Sequence, residues 1–124
     1  MAGELILIVE DNEKNRRLVR DVLQTTGYRT IEAETGEDGV RLAKEHRPAL
    51  VLMDIQLPGI DGVTAPGQLR AGAGTRAIPV IAVTASAMTH DRQKIMAAGF
   101  DGYQSKPIRV KEFLAAVRAM LDRK

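Results

Sequence analysis

"LILIVEDNEKN", residues 5 to 15, drives an apolar run straight into charge. Leu5 to Val9 are all apolar, and Glu10 and Asp11 follow at once. Five apolar residues without polar alternation predict a strand covered on both faces, the kind found in parallel sheets. Two carboxylates at the end of such a strand need a reason. A helix N-terminus is one, because its dipole favours acids. A shared site beyond the strand is the other.

Working outward, further apolar runs alternate with helix-period segments. The remaining strands are expected at Thr30 to Ala33, Leu50 to Met53, Val80 to Val83 and Gly102 to Gln104. Helices are expected from Lys14 to Thr26, with Leu18, Val19, Val22 and Leu23 as its apolar face and Gly27 as its stop, and from Gly36 to Glu45, ending before Pro48. Another begins after Asp61, and another runs from Met88 to Ala98 and stops at Gly99. The last covers Val110 to Leu121, where Val110, Phe113, Leu114, Val117 and Leu121 follow helical spacing. Five strands alternating with five helices describe an α/β domain, an open parallel sheet with helices on both faces.

Composition narrows the function classes. The 124 residues suit one domain with a core large enough to fold without staples. There is no cysteine, which excludes a disulfide framework, a thiolate metal site and a cysteine nucleophile. The charge is balanced at +2, and the four aromatics, Tyr28, Phe100, Tyr103 and Phe113, are not interleaved with basic residues. Neither feature suits nucleic-acid binding. No apolar stretch approaches the roughly 20 residues that span a membrane, and no signal pattern opens the chain. A cytoplasmic protein is expected.

In open parallel sheets, sites form beyond the carboxyl ends of the strands. Glu10 and Asp11 follow the first strand, and Asp54 follows the third in "VLMDIQLPGIDG". Thr84 follows the fourth in "IAVTASAM", and Lys106 follows the fifth in "YQSKPI". Each has an ordinary explanation alone, as a cap, a turn residue or a helix start. Together they are expected to converge in one pocket. Three neighbouring carboxylates repel, and a hard divalent cation such as Mg²⁺ relieves them. Cation, lysine and hydroxyl then make an electrophilic cradle for a phosphoryl group, with Asp54 as a carboxylate nucleophile.

Over essentially its whole length the sequence resembles the receiver domains of two-component response regulators. "ILIVEDNEKN", "LVLMDIQLPGIDG", "IPVIAVTA" and "AGFDGYQSKPI" carry the resemblance in order and spacing. It implies the flavodoxin-like (CheY-like) fold, with strand order 2-1-3-4-5, and a single receiver domain over residues 1–124 without an output domain. It implies that Asp54 accepts a phosphoryl group from a phosphohistidine on a kinase or phosphotransferase. Glu10, Asp11, Asp54 and the Gln56 main-chain carbonyl would hold Mg²⁺. Thr84 and Lys106 would contact the phosphoryl group, aided by a cis Lys106–Pro107 bond. Thr84 and Tyr103 would act as the switch, altering the surface of helix four, strand five and helix five for a downstream protein. Gln56 and Ser86 would tune phosphoryl lifetime. Such a protein is a signalling receiver that assists its own phosphorylation and dephosphorylation, not an enzyme with a separate substrate. The wording resembles stand-alone cell-division regulators of the DivK type and equally the receivers of hybrid histidine kinases.

Helix one carries Lys14, Arg16, Arg17 and Arg20. A solvated face accounts for most of them, and a docking face for the histidine donor around Asn15, Arg16 and Val19 is the sharper expectation. His46 and His90 follow no strand end and are expected at the surface. One stretch departs from the family pattern. In "DGVTAPGQLRAGAG" Pro66 is tolerable only in a first helical turn, so the third helix is expected to start late, capped by Thr64, or failing that to be kinked.

Two rival chemistries fit less well. A haloacid-dehalogenase phosphatase wants a second acid two residues after its nucleophile, where this chain has Gln56. A flavodoxin-like cofactor binder wants bare N–H donors after strand one, where Glu10 and Asp11 would repel phosphate. A receiver-like module that is never phosphorylated is disfavoured by the intact Asp54, Thr84 and Lys106 set.

Overall fold

A computed structural model describes residues 3–54, 67, 69, 71–72, 74–84, 99–105 and 109–122, with backbone only at Thr84 and Ser105. Five parallel strands form one sheet: β1 (Leu5–Val9), β2 (Arg29–Ala33), β3 (Leu50–Asp54), β4 (Val80–Thr84) and β5 (Gly102–Ser105). Their order is β2-β1-β3-β4-β5, as the family resemblance implied. Three helices are described: α1 (Glu13–Thr26), α2 (Gly36–His46) and α3 (Val110–Leu121). None of the described helices is long and apolar enough to cross a membrane.

Strand alternation sorts the core into two layers. Leu7 and Val9 of β1 join Val51 and Met53 of β3 and Val80 and Ala82 of β4, packed with Val40 and Ala43 of α2. Ile6 and Ile8 join Leu50, Leu52, Ile81 and Val83 on the other face, under Val19 and Leu23 of α1 and Phe113, Val117 and Leu121 of α3. The apolar run that opened the reading is therefore covered on both sides, with Ile6, Leu7, Ile8 and Val9 each at most 2% exposed.

The helix ends follow local chemistry. The Asn12 side chain caps α1 by accepting from the Asn15 N–H at 3.0 Å. Gly27 closes α1 in the left-handed region at φ 106°, and Tyr28 N–H reaches back to the Leu23 carbonyl. Thr35 caps α2 through the Asp38 N–H. At α3 Arg109 stands at the N-cap without a side-chain cap bond. The other end of α3 is tied down. Arg118 bonds Glu4 at 2.9 Å, Asp122 at 2.8 Å and the Tyr28 hydroxyl at 3.4 Å.

Several expectations shift. β3 and β4 each run one residue further, so Asp54 and Thr84 close their strands instead of following them. β2 starts one residue earlier, at Arg29, and β5 ends one later, at Ser105. The α2 helix runs one residue further, to His46, because Arg47 adopts φ 47° and stops it. Leu18 and Val110 are each 48% exposed, although both belong to the expected apolar faces. Gly67, Leu69 and Ala71 are helical, while Thr64, Pro66 and the segment Met88 to Ala98, His90 included, lie outside the described residues. His46 is exposed.

Close approach sets α2 against the end of β1. A Cβ on Gly39 would sit 2.7 Å from Val9 Cγ2, inside real contact distance. Gly39→Ala is expected to destabilise the domain by about 1–3 kcal/mol through overpacking. Val9→Ala should absorb much of that cost, so urea denaturation of the double-mutant cycle should show strong coupling. Additive effects would contradict the contact.

The Glu4 carboxyl offers a pH test. Burial pushes it upward, but backbone hydrogen bonding at Glu4 and the Arg118 guanidinium outweigh burial and hold it below its ordinary 4.5. A depressed carboxyl adds stability above its unfolded value and loses it as pH falls through the folded one. Glu4→Gln should therefore be less stable than the native chain above pH 4.5, with the gap closing in acid. A gap that widens on acidification would reverse the assignment.

Candidate functional site

The sheet order places β1 next to β3, with β2 reached in one direction and β3 in the other. This is the topological switch point, where a crevice opens beyond the strand ends. Three carboxylates meet there. One oxygen from each of Glu10, Asp11 and Asp54 lies within 4.8 Å of the others. Glu10 and Asp54 are both buried, and Asp11 is exposed.

Alternation explains the convergence. Glu10 has the parity of Ile6 and Ile8, and Asp54 that of Leu50 and Leu52, so both continue the layer under α1 and α3. Val9 pairs with Met53, and the next step along each strand brings Glu10 level with Asp54. Glu10 N–H still bonds the Ala33 carbonyl at 3.0 Å, which extends the β1–β2 ladder by one residue. The chain then turns, and the Asn12 N–H donates to Glu10 Oε2 at 3.2 Å. Asp11 leaves the sheet between these two bonds.

The donor set fits a hard divalent cation: three carboxylates, two of them shielded from solvent and one at the mouth. On β4 the register pairs Val83 with Asp54, which sets the Thr84 backbone one step beyond. On β5 Tyr103 pairs with Ala82, two residues before Thr84, and packs half-buried against the α2-side core. Lys106, Pro107, Gln56 and Ser86 lie outside the described residues.

The docking expectation on α1 is corrected in part. Val19 is only 6% exposed and belongs to the core with Ile8 and Leu52, so its side chain is not a docking contact. Arg16 turns inward. Its Nη1 donates to the Glu10 carbonyl at 3.0 Å and its Nε to Glu32 Oε1 at 3.1 Å. Glu34 lies 3.5 Å from the same Nη1. Sequence reasoning missed this arrangement, although a signal existed. Glu32 and Glu34 share parity at the end of β2, and Arg16 and Arg20 share a face of α1 at i, i+4 spacing. Of the other cations, Arg17 pairs with Glu13, and Arg20 lies near Asp21 and Glu32.

A cleft of about 390 Å³ opens at the other end of the sheet, lined by Leu5, Arg29, Arg47, Ala49 and Pro79 among others. These residues precede or begin their strands, so the cleft is separate from the acidic cluster.

Comparison with known proteins agrees with the geometry. The family model described as response regulator receiver domain matches residues 6–118. The polar-differentiation response regulator DivK of Brucella anthropi is 46% identical over 116 residues, covering 94% of each chain. Among solved structures, the receiver domain of a sensor histidine kinase from Pseudomonas aeruginosa superposes with a TM-score of 0.90 at 36% identity, covering 97% of this chain and 98% of its own. That structure is described with a magnesium ion coordinated in the active site cleft. A CheY-like receiver domain protein from Methanospirillum hungatei gives a TM-score of 0.88 at 26% identity, covering 98% and 95%. The chain belongs to the response regulator receiver domain family, signalling modules of two-component systems.

Proposed function

We propose that this protein is a phosphorelay receiver in which Asp54 accepts a phosphoryl group from a phosphohistidine on a kinase or phosphotransferase. The observation that carries the reading is the meeting of Glu10, Asp11 and Asp54 within 4.8 Å at the switch point of the sheet. Mg²⁺ would be held by these three carboxylates and the Gln56 main-chain carbonyl. When bound, it offsets the negative charge shared by the carboxylates and the incoming phosphoryl oxygens.

The chain's own residues do the rest. Asp54 is fixed as the last residue of β3, so its carboxylate is presented without a conformational search. One of its oxygens forms the new P–O bond while the P–N bond to the donor histidine breaks, and that electron pair leaves with the imidazole. Thr84 and Lys106 contact the phosphoryl oxygens. Little further chemistry is needed, since phosphoryl transfer rests on positioning and charge stabilisation. The acyl phosphate then biases a two-state equilibrium in which Thr84 and Tyr103 move together. The altered surface comprises segment 88–98, β5 and α3, and it is read by another protein in the cytoplasm. Asn15 and the exposed Leu18 remain available on α1 for the histidine donor, now that Val19 is buried.

Incubation with acetyl phosphate and Mg²⁺ should add one phosphoryl group to the intact mass, and Asp54→Asn should abolish the gain. Chelation of the metal should suppress it as well. An unmodified mass in the presence of Mg²⁺, with none gained from a cognate phosphohistidine donor either, would overturn the proposal. Asp11→Asn should weaken Mg²⁺ binding by roughly tenfold or more, about 1.4 kcal/mol, as measured by titration calorimetry. Unchanged affinity would remove Asp11 from the metal site.

A further inference from the structure

The geometry points to Arg16 as a positioning residue for the acidic pocket, an inference that rests on the proposed reading of that pocket as a Mg²⁺ site. The Glu10 carbonyl lies where the β1 ladder runs out. The Glu10 N–H still finds the Ala33 carbonyl, but the Glu10 carbonyl is met by the Arg16 guanidinium at 3.0 Å. That carbonyl belongs to the peptide linking Glu10 to Asp11, so Arg16 fixes the plane from which Asp11 departs.

The guanidinium is itself held. Its Nε bonds Glu32 at 3.1 Å, its Nη1 lies 3.5 Å from Glu34, and the side chain is 15% exposed. Glu32 is steadied by Arg20, 3.5 Å from its other oxygen. Arg16 thus links α1, the end of β2 and the acid-bearing turn through one planar fork. A single ammonium does not reproduce such a fork.

Two roles make opposite predictions. As a mere nearby cation, Arg16 would oppose Mg²⁺, and its loss would tighten binding. As a positioning residue it organises the ligands, and its loss loosens binding. Glu32 and Glu34 already balance its charge, which favours positioning. Both Arg16→Gln and Arg16→Lys should weaken Mg²⁺ binding by about tenfold, the scale on which outer partners of metal ligands act. Glu32→Gln, which leaves Arg16 present but less anchored, should shift affinity the same way by less. Ile81→Val, a core control, should leave it unchanged.

A metal-free measurement separates this inference from the reading beneath it. Amide hydrogen exchange at Asp11 and Asn12 should quicken in both Arg16 variants without added metal. A native chain that fails to bind Mg²⁺ would defeat the metal reading, and faster exchange would still support Arg16 as the anchor of the turn. Unaltered exchange, or tighter Mg²⁺ binding in Arg16→Gln with native binding in Arg16→Lys, would overturn it.

Discussion

A parallel sheet covered on both faces has no room for an unpaired charge until its strands end. This constraint organises the molecule. The interiors of β1, β3 and β4 carry apolar side chains into two layers, and polar chemistry is displaced to the strand termini. At the switch point the displaced acids meet. Ionised carboxylates brought within 4.8 Å of one another repel, and a hard cation is the partner that such a donor set suits. The architecture and the chemistry that the pocket can support are thus tied together.

The tolerances around the pocket are set by packing. Gly39 lets α2 approach Val9, the residue immediately before Glu10. On the opposite face Val19 and Leu23 hold α1 against the sheet, and from that helix Arg16 reaches back to the Glu10 carbonyl. Two helices thus brace the same turn, one through van der Waals contact and one through charge-assisted hydrogen bonds.

The architecture was legible because the signals were local and periodic. Apolar runs marked the strands, Gly27 marked the end of α1, and acids at strand ends marked the pocket. Glu10, Asp11 and Asp54 stand at strand ends in the sequence, and the structure brings all three together. What escaped the reading depends on long side chains and on rotation about a helix axis. Val19 reads as a plausible contact until the helix phase turns it inward, and Leu18 reads as core until the same phase turns it out. Arg16 reads as a surface cation because its partners, Glu32 of β2 and Glu34 just beyond it, come 16 and 18 residues later. Strand ends were displaced by one residue at β3 and β4, since the backbone of an aspartate or a threonine still pairs within a ladder. Lys106, Pro107, Gln56 and the side chain of Thr84 stand on the resemblance and the proposal built on it.

The attachment of α3 differs in kind along its length. Its last turn is fastened by Arg118 to Glu4 at the root of β1 and to Tyr28, whereas its first turn begins at Arg109 without a side-chain cap, leaves Val110 half-exposed and is seated by the buried Phe113 ring. Twelve residues make a rod about 18 Å long. Hydrogen bonds at one end demand a fixed direction and distance, while apolar packing at the other is non-directional. The two ends of one rod therefore obey different rules of fit.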